Sequence, residues 1–275
     1  MKVSIITASY NRRDTIGEAI HSVLRQDYPD IEYLIVDGAS SDGSVEYITR
    51  LLAEEATNGA TELIRKHARE TRFVSEPDRG MYEALNKGIR MAKGDVVGFV
   101  HSDDVLMAPD VISLYVQRFE RTGADLVYAD GQFVDQRRPE VVKRLWVSGN
   151  YRRWKVRLGW LPLHPTVYMR RSSIRPDVLY DEQYRMAADT KFLIYYLHES
   201  PLRVSYLPQY VIRMRMGGLS TNPKHSRKMF AEDVSIYKNY GFSSPWLVKV
   251  MKMSWKVPQF VNAMLRRIGL GFITI

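Results

Sequence analysis

The stretch that decides the fold is Val96-Val97-Gly98-Phe99-Val100-His101-Ser102-Asp103-Asp104, in which a short apolar run ends in a polar turn with two adjacent carboxylates. The β-branched and aromatic residues from Val96 to Val100 are typical of a strand buried on both faces of a parallel sheet. Ligands of open α/β sheets bind beyond the carboxyl ends of the strands. Asp103 and Asp104 are therefore placed to bind a Mg²⁺- or Mn²⁺-bridged ligand, although an Asp that caps the next helix would look the same.

Three other strand-like segments end in similar polar turns: Val3 to Ala8, Tyr33 to Val36 and Arg72 to Ser75. A further strand is predicted at Leu126 to Ala129. Because these segments alternate with helical patterns, the sequence predicts βαβ units and a mostly parallel sheet flanked by helices. Right-handed crossovers then bring the strand-end loops to one edge of the sheet. These loops are residues 7–11, 37–42, 76–80 and 101–104.

The predicted helices differ in how clearly their ends are marked. Thr15 and Glu18 have the spacing of a capping box, and Tyr184 to Leu197 is predicted as one helix that contains Asp189. The polar segment from Leu52 to Thr71 is interpreted as a variable connection. After about residue 135 the strand–helix alternation fades, which suggests three parts along the chain: 1–135, 136–225 and 226–275.

Several classes of protein are disfavoured by what the 275 residues lack. There is no cysteine, so neither disulfides nor thiolate metal sites are possible. A dinucleotide-binding glycine motif, a P-loop and a zinc-spaced histidine pair are all absent. The first residues run directly into a strand pattern without a secretory signal, and no apolar run reaches the roughly 18 residues that span a bilayer. We therefore expect a cytoplasmic protein.

The net charge of +9 suits nucleic acid, an anionic membrane or a phosphate-bearing substrate, or only a solvated surface. Its distribution is uneven, because no acidic residue occurs from Val234 to the end. That segment holds six basic residues: Lys238, Lys249, Lys252, Lys256, Arg266 and Arg267. The basic residues follow no nucleic-acid recognition motif, so nucleic acid is not an expected partner.

Four motifs in order resemble those of the family 2 glycosyltransferases, strongly over residues 3–135 and weakly over 160–222. The first strand, Ser4-Ile5-Ile6-Thr7-Ala8-Ser9-Tyr10-Asn11, is similar to theirs, and so is Val36-Asp37-Gly38-Ala39-Ser40-Ser41-Asp42-Gly43-Ser44. The segment Glu76-Pro77-Asp78-Arg79-Gly80-Met81-Tyr82-Glu83-Ala84-Leu85-Asn86-Lys87-Gly88 resembles their third motif. His101-Ser102-Asp103-Asp104 stands where the family carries Asp-x-Asp, with His101 replacing the first carboxylate.

The resemblance implies a GT-A fold and inverting transfer from a nucleotide-sugar, with UDP as the expected nucleotide and Mn²⁺ or Mg²⁺ as cofactor. Asp103 is then the expected metal ligand, with Asp104 as a second one that compensates for His101. Thr7 and Asp37 would contact the nucleoside, and Asp78, Arg79 and Gly80 would line the nucleotide pocket. The matching motifs supply the other expected substrate contacts: Ala8, Tyr10, Asn11, Ser40, Asn86, His101 and Ser102.

The acceptor side of the site is implied by three weaker matches. Met186-Ala187-Ala188-Asp189-Thr190-Lys191-Phe192 resembles the segment that carries the family's catalytic base, so Asp189 is the candidate base. A carboxylate can accept the acceptor's proton at neutral pH when it is held close to it. His164 would line the acceptor side. Gly218 and Ser220 belong to Gly217-Gly218-Leu219-Ser220-Thr221, which resembles a closing loop that excludes water.

The tail suggests a second function. Phe260, Val261, Met264, Leu265 and Ile268 share one face of a predicted helix, which is flanked by basic residues. A basic amphipathic helix of this kind lies on anionic membranes; the alternative is a helix packed on the catalytic domain or on a second copy. We therefore expect a peripheral protein on the inner face of the cell membrane that builds cell-surface polysaccharide on a glycan or lipid-linked acceptor.

Two other functional classes stay open at this stage. A nucleotidyltransferase can share the fold, but it usually has a basic, Gly-rich loop after the first strand, where this chain has Ser9-Tyr10-Asn11. A non-catalytic nucleotide-sugar-binding protein is favoured only by His101. Hydrolysis of a nucleotide-sugar would distinguish this binding protein from a glycosyltransferase.

Overall fold

The computed structural model describes residues 1–217 and 226–267. Nine strands form one mixed sheet in the order β3-β2-β1-β4-β8-β6-β9-β5, with β7 paired to the outer half of β6, within that part of the chain. The strands are β1 (Val3–Ser9), β2 (Ile31–Asp37), β3 (Arg72–Ser75), β4 (Val96–Phe99), β5 (Asp104–Leu106), β6 (Leu126–Val134), β7 (Val142–Trp146), β8 (Tyr168–Arg170) and β9 (Val204–Arg215).

Helices cover both faces of this sheet and extend beyond it at the carboxyl-terminal part of the chain. They are α1 (Ile16–Leu24), α2 (Ser44–Asn58), α3 (Glu62–Glu70), α4 (Met81–Met91), α5 (Val111–Thr122), α6 (Arg153–Arg157), α7 (Ala188–Ile194), α8 (Ser226–Asn239), α9 (Pro245–Ser254) and α10 (Val257–Arg267).

The first four strands in sheet order are parallel, as the βαβ pattern predicts. β1 pairs with β2 from Val3↔Ile31 to Ser9↔Asp37 and with β4 from Val3↔Val96 to Ile6↔Phe99. β1 and β2 are buried along their whole length, because helices cover both faces of the sheet. This register brings the ends of β1, β2 and β4 to the same edge, so the strand-end loops converge there. The expected α/β fold is confirmed in this half.

The second half of the sheet mixes strand directions. β8 is antiparallel to both β4 and β6, β9 is parallel to β6, and β5 is antiparallel to β9. Residues after 135 therefore complete the same sheet as residues before it. The tail also shares this core, since Ile236, Tyr237 and Val248 pack in one apolar cluster with Trp160 and Phe192. The three-part division of the chain stays a prediction.

Four local predictions were wrong. Residues 52–71 form the end of α2 and all of α3 rather than an irregular connection, because Thr61 caps α3 through Ile64 N–H (3.2 Å) and its apolar face is buried. Thr15 makes no capping hydrogen bond, and Glu18 pairs instead with Arg215 (2.6 Å). The helix that carries Asp189 begins only at Ala188. β6 runs on to Val134, because β7 and β9 pair with its outer half.

Candidate active site

A cleft of about 930 Å³ opens along the edge where the strand-end loops converge. Its wall combines these loops with α7, α8 and α9, so it joins both halves of the chain. Most of the predicted site residues line it: Ala8, Tyr10, Asn11, Asp78, Arg79, Gly80, His101, Ser102, Asp103, Asp104, His164 and Asp189. Gly218 and Ser220 lie outside the described residues.

The loops after β1 and β2 are joined into one rigid rim. Asn11 N–H donates to Ser40 Oγ (2.8 Å), and Ser41 N–H donates to Asn11 Oδ1 (3.0 Å). Asn11 and Ala39 both adopt positive φ, 51° and 58°, a conformation that costs free energy for residues other than glycine and is concentrated at functional sites. The rim is therefore held in shape before any ligand binds.

Four residues that are predicted to contact the nucleotide-sugar make hydrogen bonds within the protein, behind the wall of the cleft. Asp37 is fully buried and accepts hydrogen bonds from Ser40 N–H (2.8 Å), Ser40 Oγ (2.6 Å) and Ser75 Oγ (2.8 Å). Thr7 Oγ1 donates to the carbonyl of Val100 (2.7 Å), which ties β1 to the end of β4. Asn86 Nδ2 donates to the carbonyl of Tyr180 (2.8 Å). Contact of the nucleotide-sugar with Thr7, Asp37, Ser40 and Asn86 stays a prediction.

The turn between β3 and α4 presents a carboxylate and a cation at the cleft. Gly80 has φ of 140°, and its N–H donates to Asp78 Oδ1 (2.8 Å). Burial raises the pKa of the Asp78 carboxyl. Arg79 donates to Glu83 Oε2 (2.8 Å) and pairs with Glu182, so its guanidinium bridges α4 to the segment before α7.

Two stacked imidazoles form the floor of the cleft. The His101 and His164 rings lie 5.7 Å apart between centroids, and His164 Nε2 is 2.5 Å from the Tyr180 hydroxyl. Burial, followed by the neighbouring His101, lowers the pKa of His164 to about 3. Burial also lowers the pKa of His101, although the Asp103 charge opposes this. Both rings are therefore neutral near pH 7 and offer hydrogen bonds rather than charge.

The two adjacent carboxylates differ in their surroundings. Asp103 is partly exposed in the cleft, whereas Asp104 is 1% exposed and its Oδ2 has no hydrogen-bond partner in the described chain. Burial, followed by the Asp103 charge, raises the pKa of Asp104 well above its usual value. Asp104 therefore holds its proton to a higher pH than an exposed Asp does, whereas Asp103 stands at the open surface.

Residues 1–217 and 226–267 contain no group of three or more His, Cys, Asp or Glu side chains that could hold a metal ion. Mg²⁺ and Mn²⁺ are commonly bound by one or two carboxylates, with phosphates and water supplying the other oxygens. Asp103 fits that arrangement as one carboxylate at the cleft surface. Metal binding by Asp103 and Asp104 stays a prediction.

The candidate base stands at the first turn of α7. Thr190 N–H (2.8 Å) and the Tyr82 hydroxyl (3.3 Å) donate to Asp189 Oδ1. Its other oxygen, Oδ2, accepts no hydrogen bond from a described residue. Burial raises the pKa of Asp189, which Lys252 partly offsets and Asp233 reinforces. The carboxylate is therefore oriented through one oxygen, while no residue in 1–217 or 226–267 hydrogen-bonds to the other, and its basicity is greater than that of an exposed Asp.

Sequence reasoning missed a group of cations on the same wall. Lys249 and Lys252 of α9, Lys256 in the turn after α9, and Arg144 of β7 all line the cleft. The lysines recur at i, i+3 and i+7, a spacing that predicts one helical face, but the sequence alone does not tell whether that face meets solvent, membrane or protein. The buried Asp233 of α8 pairs with Lys249 and with Lys252 (2.9 Å), and these ion pairs turn the lysine side of α9 towards the cleft.

The outward face of the same helices is apolar. Eight of the ten large apolar side chains that are exposed in the described residues lie on α9 and α10, so exposed apolar area is concentrated on these two helices. They are Trp246, Leu247, Val250, Met253, Val257, Phe260, Val261 and Met264. The inward side of α10 packs on β7, with Gln259, Asn262 and Ala263 buried. None of the described helices is both long and apolar enough to cross a membrane.

A family model, glycosyl transferase family 2, matches residues 4–175. Two uncharacterized glycosyltransferases of Mycobacterium tuberculosis are 34% identical over 122 residues, which are 44% of this chain and 41% of theirs. TuaG of Bacillus subtilis, provisionally assigned to teichuronic acid biosynthesis, is 32% identical over 49% of this chain and 51% of its own. The chain thus spans about half or less of the length of these relatives.

Two solved structures share the fold. Residues 1–349 of S. aureus TarS in complex with UDP-GlcNAc match with a TM-score of 0.63 and 17% identity, over 97% of this chain and 73% of that one. The mannosyltransferase PcManGT from Pyrobaculum calidifontis in complex with GDP-Man and Mn²⁺ matches with a TM-score of 0.64 and 18% identity, over 99% and 76%. Both are GT-A glycosyltransferases, so the predicted GT-A fold is confirmed.

Proposed function

Because this chain belongs to glycosyl transferase family 2, we propose that it transfers a sugar from a nucleotide-sugar to a hydroxyl group with inversion at the anomeric carbon. The observation that carries this proposal is the shared cleft. Asp189, with one carboxylate oxygen that no described residue engages, lines the same 930 Å³ cleft as Asp103 and the strand-end loops. A base and an expected diphosphate site in one cleft are what a direct displacement needs.

The reaction is a single displacement. The acceptor oxygen attacks the anomeric carbon, and Asp189 Oδ2 accepts the acceptor's proton as the new C–O bond forms. The bond from the anomeric carbon to the phosphate oxygen breaks, and its electron pair leaves with the nucleoside diphosphate. Thr190 N–H and the Tyr82 hydroxyl hold the other carboxylate oxygen, so Oδ2 keeps its direction during the transfer.

The donor side requires charge neutralisation. A Mg²⁺ or Mn²⁺ ion held by Asp103 and the donor phosphates would stabilise the negative charge of the departing diphosphate, with Asp104 as the second candidate ligand. The rim formed by Asn11 and Ser40 would hold the nucleotide. UDP is the nucleotide we propose, supported by the TarS complex with UDP-GlcNAc, whereas the PcManGT complex with GDP-Man makes GDP the alternative.

The test of this function is turnover of a panel of UDP- and GDP-linked sugars in the presence of Mn²⁺. We expect release of nucleoside diphosphate from at least one donor, slowly with water and faster with the acceptor hydroxyl. A nucleotidyltransferase would instead form the nucleotide-sugar from a nucleoside triphosphate, and a non-catalytic binding protein would bind a donor without turning it over. Either outcome contradicts the proposal.

We further propose a peripheral location at the inner face of the cell membrane and a role in cell-surface polysaccharide synthesis. The location is supported by the apolar surface of α9 and α10, and the role by the similarity to TuaG. The lack of acidic residues from Val234 to the end favours an anionic membrane over a second copy of the same basic tail. A homodimer through the tail is the alternative.

We expect the double variant Met253→Ser, Met264→Ser to bind anionic vesicles at least several-fold more weakly than the parent in co-sedimentation. Both side chains are exposed, so their loss removes apolar area available to a bilayer without opening the core. Trp154→Ser, which removes an exposed aromatic side chain outside both helices, is the control. Equal binding of the parent and the double variant, or a dimer that dissociates in the double variant, would overturn the membrane assignment.

A further inference from the structure

The cations at the inner end of the cleft outnumber the carboxylates that pair with them. Asp233 is fully buried and pairs with both Lys249 and Lys252. Lys252 Nζ also donates to Thr190 Oγ1 (2.7 Å), and Thr190 is the residue that follows the candidate base Asp189. Asp233 and Thr190 therefore account for two of the four cations, and Lys256 and Arg144 are left over.

Arg144 is a buried guanidinium with an unused donor. It is 6% exposed, and Nε donates to Gln259 Oε1 (2.5 Å) while Nη2 is buried without a hydrogen-bond partner among the described residues. Its charge lies over the Trp146 ring (4.4 Å from the centroid) and the Phe133 ring (4.8 Å). These rings fix the guanidinium and favour its charge, but they leave Nη2 free for an oxygen ligand.

Lys256 is the second unpaired cation. Its ammonium makes no hydrogen bond or ion pair with any residue in the described ranges, although the side chain is partly buried in the cleft wall. Burial, and then the charges of Arg144, Lys252 and Lys249, lowers the pKa of Lys256 to about 8. Asp233 alone offsets these four positive charges only in part, and like charges brought together destabilise the protein, so this arrangement suits an anionic ligand.

We propose that Lys256 and Arg144, supported by Lys249, form an acceptor subsite for the phosphate or diphosphate group of a prenyl-linked acceptor. The inference rests on the proposed function and specifies its acceptor class. The cations lie on the side of the cleft where Asp189 stands, rather than in the rim assigned to the nucleotide. An anionic group held there would bring a nearby acceptor hydroxyl towards the base.

The apolar surface of α9 and α10 identifies the rest of the acceptor. Along α9, Leu247, Val250 and Met253 are exposed on one side while Lys249 and Lys252 face the cleft on the other. A prenyl phosphate matches both sides of this helix, because its phosphate would reach the cations while its hydrocarbon stays with the membrane. A soluble anionic glycan would use the cations but would gain nothing from their position on the helix that carries the apolar surface.

The test is calorimetric binding of farnesyl phosphate, with farnesol and inorganic phosphate as comparison probes. Lys256→Met should weaken farnesyl phosphate binding about 10- to 100-fold, as expected for a lost charged hydrogen bond. Lys256→Arg, which keeps the charge, should stay within a few-fold of the parent. Lys238→Met on α8 is the matched control, since Lys238 is exposed and outside the cleft, and it should bind as the parent does.

Thermal unfolding distinguishes a binding role of Lys256 from a structural one, because the two roles predict opposite changes in Tm. Lys256→Met removes a partly buried, unpaired ammonium and keeps the length of the apolar stem, so we expect its Tm to rise by about 2 °C. Lower affinity together with higher stability indicates a residue retained for binding. A fall in Tm with unchanged farnesyl phosphate affinity would show that Lys256 is structural and would overturn the proposal.

Competition separates this subsite from the donor site. Farnesyl phosphate should still bind when UDP and Mn²⁺ are saturating, and it should bind more tightly than inorganic phosphate. Displacement by UDP, or an equal loss of UDP affinity in Lys256→Met, would assign the cations to the donor diphosphate instead. Equal affinity for inorganic phosphate and farnesyl phosphate would contradict the prenyl assignment. UDP binding by the unmodified chain reports separately on the proposed function.

Discussion

The variant Asp189→Asn is expected to lower kcat by about 10²- to 10⁴-fold, while its affinity for the donor stays near that of the parent. Asn keeps the size of the side chain and can still accept hydrogen bonds from Thr190 N–H and Tyr82, but it cannot accept the acceptor's proton. A general base contributes at the proton-transfer step only, typically by this factor. Steady-state kinetics with the acceptor present, together with calorimetric donor binding, measure the two quantities separately.

The control for Asp189 is Asp177→Asn, which removes an exposed carboxylate that pairs with Arg175 away from the cleft (2.7 Å). Because burial raises the pKa of Asp189, the activity of the parent should fall with acidity at a higher pH than an ordinary Asp would give. The base works when deprotonated, so this acid limb should disappear in Asp189→Asn. Turnover within a few-fold of the parent would move the search for the base to Asp181 and Glu182.

The second large effect is expected for Asp103→Asn, which should weaken Mn²⁺-dependent UDP binding by about 30-fold or more. The neutral amide removes the charge that a metal ion bound between protein and diphosphate requires, and losing one partner of such a charge pair costs at least about 2 kcal/mol. Calorimetric titration of UDP in Mn²⁺ and again in chelator measures the effect. In chelator, the parent and the variant should bind UDP equally weakly.

Asp104→Asn is the matched comparison for Asp103. Since the Asp104 carboxyl is buried and Asp103 is the one partly exposed in the cleft, the neutral amide of similar shape at position 104 removes no charge from the cleft surface. UDP affinity should therefore change only a few-fold. An equally large loss would make Asp104 a second metal ligand, as the sequence suggested. Unchanged affinity in Asp103→Asn, in Mn²⁺ and in chelator alike, would show that Asp103 holds no metal.

The donor half of the site could be predicted from sequence because parallel strands place their ends at one edge. Asp78 and Asp103 lie in the loops that follow the parallel strands β3 and β4, so their convergence required only the βαβ pattern and its handedness. Hydrogen-bond partners could not be predicted in this way. Asp37 and Asn86 have the residue types of ligand contacts, yet their side chains are engaged by Ser40 and Tyr180 behind the cleft.

The acceptor half was less accessible to sequence reasoning, because it depends on long-range packing. The stripe of Lys249, Lys252 and Lys256 has the same spacing whether it meets a membrane or a cleft. Only the buried contact with Asp233, on a different helix, fixes its direction. The error at residues 52–71 has a similar origin: the sequence there is polar, and the helix α3 is stabilised by burying His67 and Ala68 against its neighbours.

The most direct test of the central claim is the stereochemistry of donor turnover. With an α-linked nucleotide-sugar, Mn²⁺ and water as the acceptor, ¹H NMR of the anomeric proton in the first minutes identifies the sugar released before mutarotation mixes the anomers. A single displacement assisted by Asp189 predicts that the β-anomer and the nucleoside diphosphate appear together. Early release of the α-anomer, or cleavage that yields a nucleoside monophosphate and a sugar phosphate, would contradict the account.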